Sequence, residues 1–139
     1  MPLIVGPLLD DARRITSAVA AFDTWIGAQD RHPGNALIDA DTSSGLRMGF
    51  IDYSYSLAHT WKANPGVGQF INNFAAMFGG VLLAAVEEIV DRIHALPRQA
   101  IETAVQSIPD DFMSAGDRQI VVAQLLHGRA TLRSICGLP

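Results

Sequence analysis

Apolar residues recur along most of this chain in steps of three and four, and in only one stretch do they alternate. That pattern admits a helical domain with one small piece of sheet. The first helical run covers residues 8–26, with Leu8, Ala12, Ile15, Val19, Phe22 and Ile26 on one face. Gly27 is a stop signal for it. Residues 29–35 are polar and broken by Pro33 and Gly34, so they read as a loop. Residues 36–39 are short and moderately apolar, while Leu46, Met48 and Phe50 alternate with Arg47, Gly49 and Ile51. Between the two lies Ala-Asp-Thr-Ser-Ser-Gly, residues 40–45, rich in turn formers. A hairpin over about residues 36–51 is the expectation.

After an irregular stretch, 53–68, the spacing predicts a long helix over about residues 70–95. Its glycines, Gly79 and Gly80, weaken it locally by up to ~1 kcal/mol each against alanine and are expected to permit close helix packing. Pro97 opens a short helix near 98–107. Pro109 breaks the chain, and Ser114 with Asp117 resembles a capping box ahead of a last helix over about 116–135. The expected fold class is mainly α with a small β-hairpin, one domain over residues 1–139. Within it, 29–54 hold the loop and hairpin and 69–136 form a helical subdomain.

Composition narrows the function. The chain is 49% hydrophobic and 17% charged, a globular rather than a disordered balance. Ten basic residues, nine of them arginine, face fourteen acidic ones, for a net charge of −4. No basic stripe marks a nucleic-acid partner. Cys136 is the single cysteine, which excludes an intrachain disulfide and multi-cysteine zinc sites. The N-terminal stretch lacks a basic region and contains Gly6 and Pro7, so a signal peptide is not expected. The most apolar run, residues 74–86, is thirteen residues long, against about twenty for a membrane span. A cytoplasmic protein is the expectation.

The chemistry concentrates in Asp30-Arg31-His32-Pro33-Gly34-Asn35 and in Phe50-Ile51-Asp52-Tyr53-Ser54. A polar loop leaves a helix carrying a carboxylate, an amide follows five residues later, and a second carboxylate ends a strand. Such a set suits phosphoryl transfer. The loop carboxylate can orient a hydroxyl and take its proton, and the amide and second carboxylate are hard oxygen ligands for magnesium.

Asp30-Arg31-His32 with Asn35 resembles the Asp-Arg-His-x-x-Asn catalytic loop of HipA-like and phosphatidylinositol 3/4-kinases. Ile51-Asp52-Tyr53 resembles their Ile-Asp-Phe metal segment. The lead-in Phe22-Asp23-Thr24-Trp25-Ile26-Gly27, the Ser107-Ile108-Pro109 segment and the last helix are also similar, so the likeness covers most of the chain. Ser54 departs from it, standing where related kinases often have glycine. The resemblance implies a protein-kinase-like C-terminal lobe, with Asp30 as catalytic base and Asn35 and Asp52 as metal ligands. It places His32 near the phosphate and makes Arg31 an organiser of the loop. It implies magnesium and ATP as cofactors.

Twenty-nine residues precede Asp30, and they contain no Gly-rich loop, lysine strand or partnering acid. Lys62, the sole lysine, follows Asp52. Activity from this sequence alone is not expected, and it should bind magnesium-ATP weakly. Two readings follow. One is a kinase lobe completed by another chain. The other is a non-catalytic kinase-lobe remnant that serves as a protein-interaction module. Removing a nucleotide-binding lobe uncovers apolar surface, and the mean hydropathy is +0.22. A homo-oligomer, or a second protein chain covering that face, is therefore expected.

Other features read as structural. Residues 39–45 suggest an EF-hand loop, but the glycine is one position late and Phe50 stands where the bidentate acid belongs; a hairpin turn fits better. His59, His94 and His127 lack metal-ligand spacing. Cys136 has no adjacent base. Trp25 and Trp61 are expected as core or loop anchors, and Glu87, Glu88 and Asp91 as a solvated helix face.

Overall fold

The structure is a computed structural model that describes residues 6–41, 45–51, 53, 56–57 and 70–139. Helix α1, Pro7–Ile26, carries proline in its first turn and ends at Gly27, whose φ of 70° is left-handed. It runs through the middle of the molecule, against α2 (Asn73–Ala76), α3 (Leu83–His94) and α5 (Ala115–Ile135). That position changes which face is buried. The residues sunk deepest are Ala12, Thr16, Ser17, Ala20, Ala21, Asp23 and Thr24, and Phe22 is exposed. Small side chains let several elements approach one helix closely. The hydroxyls are put to use. Thr16 and Thr24 donate to the carbonyls of Ala12 and Ala20, each at 2.7 Å. Ser17 Oγ accepts the Leu82 N–H at 2.8 Å, and Thr24 Oγ1 accepts that of Ile71 at 2.9 Å. Residues 71 and 82, on either side of α2, are thus pinned to α1 by side chains that an apolar-periodicity reading passes over.

The hairpin forms as expected. Strand β1, Ala36–Asp41, pairs antiparallel with β2, Gly45–Phe50, in a register that sets Ala36 opposite Phe50 and Asp39 opposite Arg47. Its turn, 42–44, and the sequence-stretch residues Asp52, Ser54, His59, Trp61 and Lys62 lie outside the described residues. The inward face, with Leu46, Ile38, Met48 and Phe50, packs on Ala12, Phe74 and Phe78. Phe74 meets Phe50 and Phe78 edge-on, a favoured aromatic geometry.

The long helix expected over 70–95 is two helices. Gly79 and Gly80 both sit at φ 94°, a backbone no helix contains. They mark a chain reversal, not a packing contact inside one helix. A Cβ on Gly79 would come within 3.1 Å of Arg13 Cδ, so that glycine also admits the arginine stem. After the break α3 runs to His94, and α4, Arg98–Gln106, follows with Pro97 as the residue that caps it. Helix α5 is capped by Ser114, whose Oγ accepts the Asp117 N–H at 3.1 Å.

The larger core lies among α1, α3, α4 and α5, around Trp25, Val86, Val90, Ile101, Val121 and Leu132. Trp25 fixes α1 to α5 through its indole N–H, which donates to the Leu125 carbonyl at 2.9 Å. Glu87 and Asp91 do more than face solvent: Arg133 of α5 binds them at 2.7 and 3.0 Å. Both pairs are partly exposed, so each adds little stability. Among the described residues no helix is long and apolar enough to cross a membrane.

Candidate functional site

The loop between α1 and β1 is wired around one arginine. Asp23 lies in the last turn of α1, where the helix dipole disfavours a negative charge, and is 1% exposed. Arg31, eight residues on, returns to meet it. Nε donates to Oδ2 at 2.8 Å and Nη2 to Oδ1 at 3.0 Å, a bidentate pair of the strong kind. The Arg31 side chain is itself 4% exposed. Its guanidinium lies over the rings of Phe50 at 5.0 Å and Tyr53 at 4.8 Å, within cation–π range. Burial pushes the Asp23 carboxyl above its ordinary range, against the pull of Arg31. Arg31 holds its proton more tightly than usual: burial works against the charge, but hydrogen bonds and charge from Asp23 outweigh it.

From this anchor the rest of the loop is held. Arg31 Nη1 donates to Asn35 Oδ1 at 3.2 Å, the His32 N–H donates to the same oxygen at 3.2 Å, and Asn35 Nδ2 donates to the Asp30 carbonyl at 2.6 Å. Asn35 closes a single 3₁₀ turn, Pro33–Asn35. Inside it, Gly34 N–H donates to His32 Nδ1 at 3.0 Å, and a Cβ on Gly34 would strike the His32 ring at 2.8 Å. That bond leaves the proton of a neutral His32 on Nε2. Finally, the Ile51 N–H donates to the Asn35 carbonyl at 3.0 Å, fastening the end of β2 to the loop.

Three of the four expected site residues, Asp30, His32 and Asn35, can now be placed. Asp30 presents its carboxylate to solvent, with half its side chain exposed, and His32 Nε2 lies 3.8 Å from its Oδ2, beyond hydrogen-bond distance. Asn35 is 3% exposed, and both acceptor positions of its Oδ1 are taken by Arg31 and His32. Asp52 lies outside the described residues, between Ile51 and Tyr53, which touch Asn35 and Arg31. Arg31 organises the loop, as expected of it. Among the described residues no group of three or more His, Cys, Asp and Glu could hold a metal ion. Sequence reasoning missed Asp23 as the partner of Arg31. Its signal was an acid in the last turn of a helix, a place that asks for a cation.

His94 lies against α5, with Nδ1 3.4 Å from the Arg129 carbonyl, and His127 is a residue of α5. Cys136 is buried, and burial pushes its thiol up to about 11. The folded protein should therefore react with a thiol reagent at neutral pH at least tenfold more slowly than the unfolded chain. Below the unfolded pKa, about 8.5, the thiol contributes its full share of stability. That share is lost as pH rises through about 11, and a Cys136→Ser variant should lack this alkaline loss. Rapid labelling of the native protein would contradict the burial.

No protein-family model, no curated protein and no solved structure matches the chain.

Proposed function

We propose that this chain is the C-terminal lobe of a phosphotransferase that moves the γ-phosphate of ATP to a hydroxyl. The supporting observation is the junction at 3.0 Å between Ile51 N–H and the Asn35 carbonyl, which brings the end of β2 beside the loop bearing Asp30. Asp52 is the next residue in the sequence. Asp30 accepts the proton of the attacking hydroxyl while the new O–P bond forms and the bond to the ADP oxygen breaks, ADP leaving with the electron pair. His32, with its proton on Nε2, donates to a phosphate oxygen. Magnesium, when bound, neutralises the charge of the transferring phosphate. Asp52 is the ligand this reading assigns to it. Asn35 does not fit as a second ligand in this geometry, since its Oδ1 is taken by Arg31 and His32 and a cation there would lie beside the Arg31 guanidinium.

In this reading the nucleotide-binding lobe is supplied from outside residues 1–139. Around the loop, Phe22, Leu37, Ile51 and Tyr53 are exposed, and a lobe docked there would cover them. The same apolar side chains favour the second reading, a non-catalytic interaction module.

Manganese separates the two, since it takes the oxygen ligands that magnesium takes. Titrated into ¹⁵N-labelled protein, Mn²⁺ should broaden the amides of residues 30–32, 34, 35, 51 and 53 and spare α4 and α5. Asp52→Asn should abolish the effect. If the loop amides stay sharp, the metal site fails and the interaction module is the reading left.

A further inference from the structure

A small, largely enclosed cavity lies against the buried ion pair, where α1, the loop and the segment entering α2 meet. Its volume is about 30 Å³, and Thr16, Val19, Asp23, Arg31 and Phe74 are among its lining residues. That is about the share of one molecule in liquid water, ~30 Å³, whereas pockets for organic ligands begin at about 300 Å³. Cavities that stay dry are walled by apolar groups. The walls here carry hydrogen-bonding groups with capacity to spare. Asp23 and Thr16 are each 1% exposed. A carboxylate offers about four acceptor positions, and Arg31 fills two of those of Asp23. Thr16 gives its hydroxyl proton to the Ala12 carbonyl and keeps its lone pairs. On the α2 side, Phe74 is buried, yet its N–H finds no acceptor among the described residues. The Ile71 N–H bonded to Thr24 Oγ1 holds this stretch of chain beside Asp23.

A buried donor without an acceptor costs about as much as a lost hydrogen bond, and native interiors meet such needs with ordered water. The donor and acceptors at this cavity select its occupant. A metal cation cannot take an N–H and would stand beside the Arg31 guanidinium. An anion would face the Asp23 carboxylate. Water accepts and donates, and carries no charge. We propose that one ordered water occupies this cavity, accepting from the Phe74 N–H and donating to the Asp23 carboxylate and Thr16 Oγ1. It ties the start of α2 to the ion pair that holds the loop, with a bridge nearly as good as a direct hydrogen bond. The proposal is independent of the phosphotransferase reading.

A high-resolution crystal structure of the wild-type chain tests the position. A water should stand about 2.5–3.2 Å from an Asp23 carboxylate oxygen and from the Phe74 nitrogen. A dry cavity, or a water bonded to neither group, overturns the proposal. In solution, ¹⁷O magnetic relaxation dispersion counts the waters that tumble with the protein. Val19→Ile adds a methylene at the cavity wall and should remove one long-lived water from that count. Circular dichroism checks that the variant folds. Val122→Ile makes the same kind of addition on α5, outside the cavity lining, and should leave the count as in the wild type. A wild-type chain with no long-lived water overturns the proposal, as does a count unchanged by Val19→Ile or lowered equally by Val122→Ile.

Discussion

Asp23→Ala should cost about 3–5 kcal/mol of folding stability, the largest effect expected of any single polar substitution here. The reason is the charge left behind. Arg31 stays protonated at any accessible pH, its side chain is 4% exposed, and without Asp23 its Nε and Nη2 donors lose both acceptors. Stranding one partner of a buried pair carries a penalty of about 3–5 kcal/mol. In thermal melts that amounts to a fall of roughly 10–20 °C for a domain of this size. Asn35 should be affected next, since Arg31 Nη1 is one of its two Oδ1 donors. The loop amides of residues 30–32, 34 and 35 should then exchange with solvent much faster than in the wild type. Replacing both charges, as in Asp23→Leu with Arg31→Met, should recover much of the loss, because a well-packed apolar pair avoids the desolvation cost altogether. Urea denaturation of the three proteins is the measurement. A loss under about 1 kcal/mol for Asp23→Ala, the value of a surface pair, would mean that the arginine is not held as described.

Asp30→Asn should show the opposite profile. Its carboxylate is half exposed, so stability should stay within about 0.5 kcal/mol of wild type, the usual range for surface substitutions. In the phosphotransferase assembled with its nucleotide-binding lobe, kcat should fall by about 10²–10⁴, the contribution of a positioned general base. KM for the nucleotide should hardly move, since the proton is taken from the acceptor. An Asp30→Asn enzyme that retains wild-type kcat would remove Asp30 from the chemistry and leave the loop a purely structural element.

The contrast between these residues shows what a sequence displays and what it conceals. Helix α1 and the hairpin were legible because each advertises itself by local period and a local stop: Gly27 for the helix, the turn formers before Gly45 for the strands. The break at Gly79 and Gly80 was hidden because apolar spacing continues across it. Phe74 and Phe78 serve the hairpin core, Val86 and Val90 the larger one, and periodicity cannot tell two cores from one. The buried face of α1 was misjudged for a related reason. Ser17 and Thr24 count as polar in a pattern, yet both are buried because each accepts a backbone N–H from the segment leading into α3. In the loop, the residue types drew attention to positions 30–35. What they could not show was that Asn35 faces inward and is already saturated, since that depends on Arg31 being drawn inward by an acid on the preceding helix.

The hydrogen bond from Trp25 to Leu125 spans 100 residues, whereas Arg31 reaches Asp23 across 8 and Asn35 across 4. Entropy lost on closing a chain rises with the length enclosed, and distant contacts slow folding. Helix α1, the loop and the hairpin can therefore assemble among themselves before α5 arrives, and the indole N–H closes the longest hydrogen-bonded circuit among the described residues. Trp25 is buried only when the two ends of the chain have met, so its emission should report the last stage of folding and remain silent during the first.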